Sequence, residues 1–202
     1  KTVLWLFHES TDMADLARES SIPLLRSYLQ PNFSQNLIHR QQEIDNRILE
    51  FIGRQTFLST TRILRLTSLR KKLHELFSRG RRMPVNLGAD IDPLFSKILT
   101  KARDRTAAWG GKLHFIYLPG WARYAKDVQK NDLEIKRSEV VRLVKDLNIP
   151  VIDIHQEVFA NDPDPLSFFQ FRAHTHYTSK GYSAVAKAIV LAVMNDQSPQ
   201  GL

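Results

Sequence analysis

Apolar residues in this chain fall into two patterns: short unbroken runs and longer stretches with helical spacing. Thr2-Val3-Leu4-Trp5-Leu6-Phe7 is the first run. It is too short for a helix and rich in β-branched and aromatic residues, which predicts a fully buried strand of a parallel sheet. Lys112 to Leu118 predicts a second strand, stopped by Pro119-Gly120, and Ile149 to Ile154 a third, with Pro150 in its first residues. Helical spacing predicts helices over Asp12–Arg18, Ile22–Leu29, Gln35–Gln55 and, after a break, from Ser59 onward. Further helices are expected over Asp92–Ala108, ended by Gly110-Gly111, over Asp132–Leu147, briefly near Gln156, and from Thr178 to Met194. Ser10 or Thr11 is placed to cap the first helix and Thr178 the last. Asp162-Pro163-Asp164-Pro165 is turn chemistry.

Strands alternating with helices indicate an α/β fold, a three-layer sandwich on a parallel sheet. The expected organisation is one domain over residues 1–202, with a helical insertion at about residues 22–82. Three strands are few for this length, and the expectation is that one or two more precede Lys1 and have been removed.

Composition changes this picture little. Hydrophobic content of 43% and charged content of 25% are those of an ordinary globular protein. Without cysteine there are no disulfides and no thiolate metal sites. The seven histidines are scattered, so no metal or cofactor is expected. No apolar run approaches the roughly 18 residues that predict a membrane span. The net charge of +8 is concentrated: eight basic residues stand against one acid between Arg62 and Arg82. That stretch reads as the solvated face of an amphipathic helix. An anionic-polymer binder is the competing reading, although no nucleic-acid motif is present and nucleic acid is not the expected partner.

The candidate chemistry lies at the ends of the chain. The first strand runs into His8-Glu9-Ser10-Thr11-Asp12, a polar cluster at a strand's carboxyl end, where open α/β sheets bind ligands. His176 stands just before the last helix, where a short rigid loop suits a general base. Trp121, Arg123 and Tyr124 follow the end of the second strand and either line a pocket or pack as a lid.

Three blocks together resemble the SGNH (GDSL-type) hydrolase family, in a bacterial branch of it. They are Val3–Leu16, then Phe33–Leu37 with Arg40–Asp45, and finally Ile149–Ile154 followed by His176-Tyr177, Gly181-Tyr182 and Val185-Ala186. The resemblance implies attack of a serine on an ester carbonyl, with His176 as the base and Thr11 in the position of the oxyanion asparagine. The substrate implied is a small-molecule or glycan ester, such as an O-acetylated carbohydrate, and the setting an exported bacterial protein. Glu9, Asp12, Trp121, Arg123 and His174 are the candidate substrate contacts. The chain departs from the family in three places, the first being Thr11, which is shorter than the asparagine and offers a hydroxyl in place of an amide. Ala173 and His174 stand where an aspartate would orient the histidine. The family's nucleophile block would precede the first strand, unless Glu9-Ser10 replaces its Asp-Ser and Ser10 is the nucleophile. A non-catalytic descendant of the fold, binding a glycan or a partner protein, is the alternative.

Overall fold

A computed structural model describes residues 1–64, 91, 93–125, 130–173 and 175–197, with the backbone alone for 55–64, 130–131 and 197. The chain divides into two compact units, Lys1–Leu29 with Val85–Leu202, and Gln30–Pro84.

The first unit holds a three-stranded, all-parallel sheet in the order β1 (Thr2–His8), β2 (Lys112–Leu118), β3 (Val151–Asp153). Among the described residues its helices are α1 (Asp12–Glu19), α2 (Pro23–Ser27), α4 (Pro93–Ala108), α5 (Lys130–Asp146), α6 (Ile154–Glu157) and α7 (Ser179–Gln197), while α3 (Gln41–Leu64) belongs to the second unit. β2 is the central strand and is buried on both faces after its exposed first residue, Lys112, which is why the rest of its run is apolar apart from His114. On one face Phe115 and Tyr117 pack with Phe7, with Phe95 and Leu99 of α4, and with Val140 and Val144 of α5. On the other, Ile116 and Ile152 pack with Phe159, Phe168, Phe169, Tyr177 and Val185 of α7. Each such side chain contributes about 1.5–3 kcal/mol by leaving water.

β1 corrects the expectation of a fully buried strand. Among the described residues it is an edge strand: Val3, Trp5 and Phe7 face the core, while Leu4 and Leu6 point to the other face and are 44% and 56% exposed. A run that is apolar on both faces does not reveal which face is covered. β3 is shorter than expected, though the Pro150 carbonyl still accepts from the Phe115 amide at 2.8 Å.

Two helix ends position the rest. Gly110, at φ +76°, adopts the left-handed conformation that stops α4 before β2. At the start of α7 the Thr178 hydroxyl accepts from the Gly181 amide at 3.2 Å, the expected cap. The Tyr177 hydroxyl donates to the Pro119 carbonyl at 2.7 Å and ties that helix entry to the end of β2.

The second unit carries a 3₁₀ turn, Leu37–Arg40, and helix α3, Gln41–Leu64. α3 is continuous where two helices were expected, because nothing between Gln55 and Ser59 breaks a helix. Arg40 and Arg47 pair with Glu43 along its first turns. Most of the basic stretch, residues 65–82, lies outside the described residues.

Candidate active site

The carboxyl ends of all three strands meet at one rim, and the turn after β1 is its centre. The Glu9 amide makes the last bond to β2, to the Leu118 carbonyl at 3.0 Å, and the turn beyond it is closed by the Asp12 carboxylate. Its Oδ2 accepts from the His8 amide at 2.9 Å, and its Oδ1 from the Thr11 hydroxyl at 3.0 Å. Thr11 occupies the N-cap position of α1 but makes no side-chain cap. Neither residue expected to cap this helix does so through a side-chain bond, because the Thr11 hydroxyl turns to Asp12. The same hydroxyl lies 3.3 Å from His8 Nδ1.

Glu9 points the opposite way, into the protein, and is buried. Its Oε2 accepts from the Gly120 amide at 2.9 Å and its Oε1 lies 2.5 Å from Arg123 Nη2. Arg123 is buried too, and donates further to the Leu133 carbonyl and to Glu134, both at 2.8 Å. Arg137 bonds Glu134 and Asp153 and carries the network on to β3. Five charged groups thus join the end of β1, the turn after β2, helix α5 and the end of β3. Burial opposes the Arg123 cation, but the bonds and charge of Glu9 outweigh it and its pKa rises. With their polar atoms engaged in this network, Glu9 and Arg123 act on the rim from within by holding its loops.

Ser10 is half-buried, and its hydroxyl rests against the backbone of Gly120, where a Cβ would collide with it. Among the described residues that hydroxyl makes no hydrogen bond. His176, exposed at the entry to α7, comes from the far end of the chain, yet its neighbour Tyr177 is bonded to Pro119, next to the Gly120 on which Ser10 rests. His8 has its pKa lowered, chiefly by burial; Asp12 and Glu9 work against the shift and His176 adds to it. Its Nε2 is buried without a hydrogen-bond partner among the described residues. A histidine held neutral is a proton acceptor at neutral pH.

The rim therefore brings together Ser10, Thr11, Asp12 and His176 of the sequence candidates. Trp121 is half-buried and packs against the α7-side core, as a lid residue would. Tyr124 stacks on Phe159, and its hydroxyl meets His155 Nδ1 at 2.8 Å. His174 lies outside the described residues. Sequence reasoning placed His8 in the polar cluster without giving it a role, and passed over Gly120. His8 is the last residue of a strand that runs into a polar turn, which was the available signal; nothing local marks Gly120 as the neighbour of Ser10.

Two hydroxyls, two imidazoles and a carboxylate suit proton transfer and nucleophilic attack. Among the described residues no group of three or more histidine, aspartate or glutamate side chains is arranged to hold a metal ion, and no helix is long and apolar enough to cross a membrane. Compared with known proteins, the chain matches no protein-family model, no curated protein and no solved structure.

Proposed function

We propose that the chain is an ester hydrolase domain of the SGNH type, its sheet the centre of that family's three-layer sandwich, with His176 as the base. The observation that supports this most is the meeting of the chain's two ends: His8, Ser10, Thr11 and Asp12 from the turn after β1, and His176 from the loop before α7, share one rim. In this reading Ser10 attacks the ester carbonyl and His176 takes its proton. The tetrahedral oxyanion is met by the Thr11 hydroxyl, which must first turn its proton away from Asp12, while the Gly120 amide stays bonded to Glu9. The leaving alcohol takes the proton from His176, and water releases the acyl group by the reverse steps. The substrate class is a small or glycan-borne acyl ester such as an acetate.

A second reading has its own support. The Ser10 hydroxyl rests on Gly120, and the Thr11 hydroxyl donates to Asp12. Such a rim also suits a non-catalytic domain that binds a glycan ester without cleaving it.

A fluorophosphonate probe followed by peptide mapping separates the two. The expected result is covalent label on Ser10, lost in Ser10→Ala and reduced by at least about 10³-fold in His176→Ala. Label on Thr11 instead would move the nucleophile one residue along. A folded protein that takes no label anywhere would sink the hydrolase reading and leave the binding domain.

A further inference from the structure

Away from the rim, on the core side of β1, lies a cavity of about 410 Å³ between α1, α2 and α4. Its volume sits toward the lower end of the roughly 300–1,000 Å³ typical of small-molecule sites. The inner surface is apolar, built from Trp5, Leu16, Leu29, Leu94 and Ile98. The mouth is mixed. The exposed lining residues are Arg26, Arg105 and Glu19 with Leu25 and Tyr28, and half-buried Lys101 makes three cations against the one acid. None of these residues belongs to the candidate active site.

The two chemistries are ordered in space. Along α4 the residues that line the cavity are Leu94, Ile98, Lys101, Ala102 and Arg105, which share one helical face. Polarity along that face is graded, with the apolar pair at the helix start and the cations near its end. Arg26 adds a third cation from α2 across the cavity. An apolar interior with a cationic mouth complements a molecule with an apolar tail and an anionic head. The volume suits one tail better than two.

We infer that this cavity binds a single-chain fatty carboxylate, its tail against Trp5, Leu94 and Ile98 and its carboxylate among Arg26, Lys101 and Arg105. The inference does not depend on the hydrolase reading, and either can fail alone.

Trp5 makes the test direct. Dodecanoate is titrated into the full 202-residue chain by calorimetry, and an analogue brominated at its far end is followed by quenching of Trp5 fluorescence. One saturable site is expected, with affinity rising about fourfold per methylene from octanoate to dodecanoate. Trp5→Phe should abolish most of the quenching and leave one binding site. Arg26 and Arg105 are both exposed, so the double variant Arg26→Glu/Arg105→Glu should fold normally and bind about tenfold more weakly. Dodecyltrimethylammonium, with the same tail and the opposite charge, is the control and should bind at least about tenfold more weakly than dodecanoate. Absence of saturable binding, equal binding of the cationic amphiphile, or unchanged affinity in the double charge-reversal variant would each overturn the inference.

Discussion

Gly120 and Ser10 make a pair that neither residue suggests alone. The glycine is needed for what sits against it: a Cβ there would run into the Ser10 hydroxyl, while the Ser10 Cβ is 3.5 Å away and tolerates it. Gly120→Ala should therefore turn the Ser10 hydroxyl to another rotamer and cost about 0.5–1.5 kcal/mol, since that hydroxyl has no hydrogen bond to lose among the described residues. Ser10→Ala alone should be near neutral. In the Gly120→Ala background it should recover most of the loss, because the colliding atom is gone. Urea denaturation of the two single variants and the double forms the cycle. Simple additivity would show that the two residues do not press on each other in solution. The same contact bears on chemistry, since Ser10 must rotate away from Gly120 to meet a substrate carbonyl.

At the scale of elements, the rim is held by an ion pair between residues 114 positions apart, Glu9 and Arg123, both 6% exposed. Arg123→Met would leave the Glu9 carboxylate buried beside the Gly120 amide with its main countercharge gone. Removing one partner of a buried pair typically costs about 3–5 kcal/mol, and that loss is expected in denaturant titrations. Glu9→Gln combined with Arg123→Met should cost clearly less than the sum of the single losses, and a double loss equal to that sum would contradict a direct pairing. None of this was legible beforehand. Lys112–Leu118 could be read to the residue because β2 is buried on both faces and ends at Pro119. Glu9 and Arg123 read as substrate contacts because both follow strand ends, and only the fold shows that their side chains turn inward. The exposed Leu4 and Leu6 were hidden for the opposite reason, since a run apolar on both faces carries no record of which neighbour is there.

Taken whole, the first unit is a sheet with helices on both faces and titratable groups gathered at one end, and that has a consequence for stability. His8 and His155 both have folded pKa values below the ordinary 6.5. For His8 burial is the main cause, with Asp12 and Glu9 opposing and His176 assisting. For His155 burial leads again, Arg123 and Arg137 push the same way, and Asp153 and Glu134 oppose. A base whose folded pKa is depressed binds its proton more readily in the unfolded chain. Its contribution is complete above the unfolded pKa and is lost as pH falls through the folded one. Thermal stability should thus decline as pH is lowered from about 7 to about 5, the histidine range. Glu134 and Asp196 are held below their ordinary 4.5 and 3.8, chiefly by hydrogen bonds from Arg137 and Lys112 respectively, so their losses come at lower pH and do not overlap this window. His8→Gln and His155→Gln should each flatten the decline, and the double variant should remove most of it. A wild-type profile that stays level across that window would mean that both rings take up protons as easily folded as unfolded, and that the rim is wetter than its burial implies.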